Sequence, residues 1–174
     1  IASKSSVLIV QKPSEGLSWG SVTAVSTMPQ NETAPTGSDL RVTRRFEVWR
    51  DGAWQSMETG GVSAKVGDRV RQVATVTSAR DFDFVSLRLP RPACFAPRRA
   101  LSGADWSDGH CYYRAVHDAS TELFFEKMPR GTLTVTEEGF IDRAGTYKAG
   151  CAAVSCVYAP EYCGSSAAAS IAVE

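Results

Sequence analysis

The chain has 174 residues, 43% of them hydrophobic, and its 19 basic and 19 acidic residues give a formal net charge of zero. That length and apolar content support one sizeable core and exclude a wholly disordered chain. The charge balance supplies no global field to draw nucleic acid or an anionic membrane, and no apolar run approaches the roughly 20 residues that span a bilayer.

The opening segment, IASKSSVLIVQKP, has a short apolar centre but no leading Met, basic stretch or cleavage site. It reads as the interior of a longer polypeptide rather than a signal peptide. Residues 6–11 and 21–26 read as short strands around PSEGLSWG, and TMPQNETAPTGSD after them reads as a linker. A boundary is placed there: residues 1–38 are the last strands of a preceding region plus linker, and residues 39–174 form the main domain.

From Leu40 onward the pattern has period two. Leu40, Val42, Phe46 and Val48 share one side, with Arg44 alone breaking it. Asp51-Gly52 is a hairpin signal, and Trp54 opens the returning strand. The turn Lys65–Asp68 feeds RVRQVATVTSA, in which Val70, Ala74 and Val76 share a face with Gln72. Val85, Leu87 and Leu89 form the next strand, stopped by Pro90. Residues 91–109, punctuated by Pro and Gly, read as a long irregular excursion where recognition residues collect. A hairpin over 111–126 turns at His117–Ser120, and further strands are predicted at 133–136, 147–158 and 169–173. Many short strands without an amphipathic helix predict an all-β, antiparallel, immunoglobulin-like sandwich.

No catalytic constellation assembles. His117, Asp118 and Ser120 sit in one hairpin turn and lack a G-x-S-x-G elbow, so they cannot aim at a common atom. Asp118–Ser120 reads as an Asx-type turn. The acids of Asp105-Trp-Ser-Asp108-Gly109 have the wrong spacing for an EF-hand loop and read as turn acids. No phosphate-binding glycine motif is present. No cofactor or metal is expected. The arginines at 44, 45, 88, 91, 98 and 99 read as solvated strand ends and loops. Trp106, His110, Tyr112 and Tyr113 form a candidate contact platform for protein or sugar, although strand alternation turns one of the two tyrosines inward.

Five cysteines, Cys94, Cys111, Cys151, Cys156 and Cys163, include no C-x-x-C pair. Cys151 and Cys156 on one extended strand lie roughly 17 Å apart on opposite faces, which argues against their pairing. Cys163 is the candidate to bridge with Cys111 or Cys151. The alternative is that most of these thiols are buried and free.

The phrases KVGDRVRQVATVTSARDFDFVSLRLPRPACFAP, LSGADW..GHCYYRAVHDAST.LFF..MPRGT and AGTYKAGCAAVSCVYAPEY resemble the C-terminal domain of bacterial α2-macroglobulins of the Bacteroidetes type. GLSWGSV resembles the strand that precedes that domain, at the end of the region carrying the thioester domain. The resemblance implies the last macroglobulin β-sandwich, equivalent in position to the receptor-binding domain of the animal proteins. It implies a non-catalytic part of a large protease trap, with the neighbouring thioester-type domain as partner and proteases engaged through the full-length protein. It also implies a periplasmic, cell-envelope or extracellular setting, with a lipid-anchored parent, where an extra disulfide among Cys111, Cys151 and Cys163 would persist. No cysteine is followed by the x-Glu-Gln of a thioester. The sequence departs from the family where His110-Cys111-Tyr112-Tyr113 replaces a Leu-Gly-Tyr-Tyr-like phrase, and over residues 132–144. The alternative function is an adhesion or carbohydrate-binding sandwich using Trp106 and the tyrosines.

Overall fold

Residues 9–22, 25, 33–58 and 61–174 are described by a computed structural model, and every regular element among them is a β-strand. Of the two early strands expected, residues 6–8, 23–24 and 26 lie outside the described residues, while 9–11, 21–22 and 25 are not in strands. The strands in chain order are β1 (Thr36–Gly37), β2 (Leu40–Arg50), β3 (Ala53–Ser56), β4 (Arg69–Ser78), β5 (Phe82–Pro90), β6 (Phe95–Pro97) and β7 (Gly103–Ser107). They continue with β8 (His110–Val116), β9 (Ser120–Met128), β10 (Gly131–Ile141), β11 (Gly145–Ala149), β12 (Ala153–Cys156), β13 (Ala159–Ser165) and β14 (Ala169–Val173).

A seven-stranded sheet, ordered β1-β13-β12-β5-β9-β8-β7, faces a five-stranded sheet, ordered β3-β2-β4-β10-β6, and β11 pairs with β14 as a two-stranded ribbon over the same face of the five-stranded sheet. All paired strands are antiparallel. The all-β sandwich expected from period two is the observed fold. The β2–β3 hairpin turns at Asp51 (φ 52°) and Gly52 (φ 79°), both left-handed as a type I′ turn requires. The β7–β8 hairpin repeats the device at Asp108 (φ 47°) and Gly109 (φ 79°).

Two expectations are corrected. Residues 91–109 are not wholly irregular: β6 joins the edge of the five-stranded sheet and β7 the edge of the seven-stranded one. Pro97 is tolerated there because an edge strand leaves one row of N–H groups unpaired. Residues 147–158 are not one strand, since Gly150–Ala152 carries the chain from β11 in the two-stranded ribbon to β12 in the seven-stranded sheet. Strand pairing also starts before residue 39, with Thr36 opposite Ser165 and Gly37 opposite Gly164. Gly164 is needed at this point, because a Cβ there would collide with the Leu40 carbonyl oxygen.

The interior is divided. One apolar cluster lies between the two large sheets and includes Leu40, Val42, Val76, Leu87, Phe125, Val135 and Val154. The other lies under β11 and β14 and includes Phe46, Val48, Val70, Ile141, Ile171 and Val173. β2 supplies both, and Arg44 falls at the seam between them. There its guanidinium donates to the carbonyl oxygens of Pro90 (3.1 Å), Ala149 (3.5 Å) and Gly150. These carbonyls belong to strand ends, where ladder pairing stops. Burial lowers the Arg44 pKa to about 10, a shift that the neighbouring Cys151 opposes, so the group stays charged near neutrality.

The seam continues as a buried polar belt. Gln72 of β4 stands opposite Glu137 of β10, and its amide donates to Glu137 Oε2 at 2.5 Å. From the facing sheet, Arg114 Nη2 donates to Glu137 Oε1 at 2.7 Å, as does the Thr121 hydroxyl. Arg91 Nη1 lies 3.9 Å from the same oxygen and donates to Thr121 Oγ1 at 2.6 Å. Arg91 also donates to the backbone oxygens of His117 and Asp118. Arg44 and Arg91 are therefore structural groups inside the sandwich, not solvated strand ends.

Candidate interaction surface

Alternation along β8 sorts the four candidate platform residues. Cys111 and Tyr113 face outward, while Tyr112 and Arg114 face the sandwich interior. Tyr112 packs on Phe125 with ring centroids 5.1 Å apart. Burial, then the nearby Asp105 carboxylate, raises its phenol pKa to about 12. It is a core residue and does not join Tyr113. His110 is half-buried at the Asp108-Gly109 turn, on the inward side of β8. Trp106 lies on edge strand β7 rather than in a loop, 68% exposed and opposite Cys111.

The outward residues form a continuous apolar strip. Tyr113 (53% exposed) is opposite Ala104 on β7 and Phe124 (38%) on β9. With Cys111, Glu126 and Lys127 they line a shallow depression of about 590 Å³, and Trp106 stands beside it, opposite Cys111. The geometry thus keeps Trp106 and Tyr113, drops Tyr112 and adds Phe124. Strict alternation was the available signal for Phe124: in Leu123-Phe124-Phe125, burial of Leu123 and Phe125 turns the middle residue to solvent. Large aromatics clustered on an open sheet face mark a contact surface more often than scattered ones do.

A second aromatic feature lies at the end of the same sheet. Phe84 (φ 55°) is a non-glycine residue in the left-handed region, interrupting the pairing of β5 with β9. Its oxygen accepts from Val157 N at 2.8 Å, and its ring meets Tyr158 edge-on at 5.2 Å. Left-handed backbone at a bulky residue costs on the order of 1–3 kcal/mol and persists only where its surroundings hold it.

The outer face of the five-stranded sheet is polar by contrast. Trp49 and Trp54 meet edge-on at 5.2 Å, with Arg71 4.3 Å from the Trp54 ring centre. Glu47 accepts from Arg45 (2.8 Å) and Arg71 (2.5 Å), and Glu138 from Arg69 (2.8 Å) and Arg98 (2.9 Å). Burial pushes both carboxyl pKa values up, but the hydrogen bonds from these arginines outweigh it and hold both below the ordinary carboxylate value. A carboxylate with a depressed folded pKa contributes stability that is present above its unfolded pKa, about 4.3, and is lost as pH falls through the folded value. The melting temperature is accordingly expected to drop on acidification below that point. Glu47→Gln with Glu138→Gln should flatten this dependence in a calorimetric pH series; an unchanged slope would show that neither carboxylate contributes to it.

The cysteines are not brought together. All five are free thiols, and β8 and β13 are separated by β12, β5 and β9. At about 4.8 Å per strand spacing, Cys111 and Cys163 are roughly 19 Å apart, far beyond the roughly 7 Å limit for a disulfide. Cys163 stands opposite Ser155, four residues from Cys151, a separation of roughly 13 Å. Cys151 instead lies by Arg44 at the seam.

His117, Asp118 and Ser120 do not converge either: Ser120 is buried, and the His117 ring points toward Glu122 at 3.9 Å. Among the described residues no cluster of three or more His, Cys, Asp or Glu could hold a metal ion, and no helix is long and apolar enough to cross a membrane.

The sequence profile described as "Bacterial Alpha-2-macroglobulin MG10 domain" matches residues 40–161. No curated protein sequence gives a significant match. Among solved structures, native α2-macroglobulin from Escherichia coli, spanning domain MG7 to the C-terminus, superposes with a TM-score of 0.66 at 16% identity, covering 84% of this chain and 25% of that one. E. coli α2-macroglobulin activated by porcine elastase gives 0.66 at 16%, covering 84% and 14%. Salmonella α2-macroglobulin reacted with methylamine gives 0.64 at 16%, covering 82% and 10%. The chain therefore spans between a tenth and a quarter of the solved proteins it matches, and likeness at this identity concerns the fold.

Proposed function

The chain belongs to the bacterial α2-macroglobulin family, as its MG10-type domain, and from that membership we propose that it is a non-catalytic contact domain of a protease-trapping inhibitor. Its outer strip of Trp106, Tyr113 and Phe124 packs against the neighbouring thioester-type domain of the full-length protein. Rearrangement of that contact accompanies capture of a protease. Residues 1–38 are the last strands of the preceding region plus linker, and their final strand β1 docks on β13. The parent acts in the periplasm or cell envelope.

The exposed aromatic strip on the seven-stranded sheet carries this reading. Most of each matched protein lies outside the segment equivalent to this chain, so an apolar face has a large covalently attached neighbour to cover it. The few aromatic residues that anchor the centre of an interface cost about 2 kcal/mol or more each when truncated.

The test is made in the full-length parent with Trp106→Ala, Tyr113→Ala and Phe124→Ala combined. These side chains face outward, so the domain should still fold, while protection of a large protein substrate from an added protease should fall sharply. Full protection by the triple variant would reject the assignment. Specific binding on a glycan array, lost with Trp106→Ala, would favour the carbohydrate-binding alternative.

A further inference from the structure

The buried belt around Glu137 opens onto a cleft that the contact reading does not use. It has a volume of about 370 Å³ and lies between β8 and β9 of one sheet and β10 of the other. Leu89, Leu123, Val135 and the Tyr112 ring give it apolar walls, and Arg114 lines its interior.

The charges do not balance in the interior. Arg114 is only 6% exposed and Arg91 only 9%, and both converge on one carboxylate, that of Glu137. Gln72 and Thr121, the other members of the belt, are neutral. The belt around Glu137, apart from Arg44 on its carbonyls at the seam, therefore holds one positive charge in excess. One donor is also left over: Arg114 Nη2 is engaged by Glu137, but Arg114 Nη1 is buried with no partner. A buried guanidinium donor without an acceptor is costly, and such groups in native structures have a reason. At the mouth every carboxylate is already engaged, Glu138 by Arg98 and Arg69 and Asp105 by Arg99. Arg98 and Arg99 are more than half exposed, so their pairs can open to admit a ligand.

We propose that this cleft binds a free monocarboxylate with a short apolar body. Its carboxylate would draw the enclosed Arg114 Nη1 toward the cleft, accept from it and neutralise the excess charge, while the apolar body lies against Leu89, Leu123 and Val135. One negative charge is what the belt around Glu137 lacks. A phosphate dianion would overcompensate and be repelled by Glu137, Glu138 and Asp105, and a neutral alcohol would leave the excess charge in place.

The probes are hexanoate, hexanol, inorganic phosphate and an N-acetylated glutamate amide, titrated into the 174-residue chain at fixed ionic strength. Methyl NMR signals of Leu89, Leu123 and Val135 and the side-chain NH signals of Arg114 are followed. Saturable shifts with hexanoate, about tenfold tighter than with hexanol or phosphate, are expected. Arg114→Met should remove that preference while leaving the methyl spectrum of a folded protein. The hexanol comparison needs no variant, so it decides the matter even if Arg114→Met does not fold. Equal responses to hexanoate and hexanol, phosphate matching hexanoate, or no saturable response would each overturn the site. Tighter binding of the glutamate amide than of hexanoate would assign the cleft to a protein side chain and overturn the free-ligand proposal. None of these readouts depends on the outer aromatic strip, so the two proposals fail separately.

Discussion

Glu137→Gln is expected to lower the stability of the domain by about 3–5 kcal/mol, the usual consequence of removing one partner from a buried charge pair. Glu137 is 4% exposed, and its two carboxylate oxygens serve Gln72, Arg114 and Thr121 directly and Arg91 across 3.9 Å. Removing its charge leaves two buried guanidiniums with no counter-ion between the sheets. Removing Arg114 instead, as Arg114→Met, leaves Arg91 and Glu137 at one charge each and replaces the guanidinium by apolar volume, so its cost should be much smaller. Urea unfolding checks the pair. Glu137→Gln should shift the midpoint strongly downward with little change in slope, and Arg114→Met weakly. Equal costs for the two would mean that the imbalance of charge is not what makes the belt sensitive.

Phe125→Ala is expected to cost a similar amount, about 3–5 kcal/mol, through a different mechanism. Phe125 is 1% exposed, stands opposite Val85 in the sheet and packs against Tyr112. Truncation removes the transfer free energy of the ring and leaves a cavity that two hydrogen-bonded sheets cannot collapse to fill. The neighbouring Phe124→Ala supplies the control. Phe124 is 38% exposed on the opposite face, and its loss should cost about 1 kcal/mol or less. Adjacent residues of the same type thus separate folding from contact. Comparable destabilisation by both would contradict the assignment of Phe124 to the outer strip.

The candidate surface was half legible from the chain. Trp106 and Tyr113 are where alternation and exposure suggested a platform, but the sequence offered Tyr112 equally, and only the parity of β8 sends it into the core. Phe124 was hidden inside a run that reads as uniformly apolar. The disulfide expectation failed for a related reason. Cysteine spacing along the chain says nothing of how many strands intervene in the sheet, and strand order places β8 and β13 far apart.

Period-two alternation determined the fold class by itself, because a strand buried on one face has no other way to satisfy both water and core. The Asp51-Gly52 hairpin was likewise local, since two consecutive left-handed residues favour that pair of side chains. The polar residues on apolar faces were different. Arg44 and Gln72 each broke an inward pattern, and Glu137 lay outside the strand assigned at 133–136, which in fact extends to Ile141. Nothing local explains them, because their partners come from other strands and mostly from the opposite sheet. Only the packing of the seven-stranded sheet and the β11-β14 ribbon on one face of the five-stranded sheet creates the seam where strand-end carbonyls and facing guanidiniums meet, and there these polar side chains replace the water that burial removes.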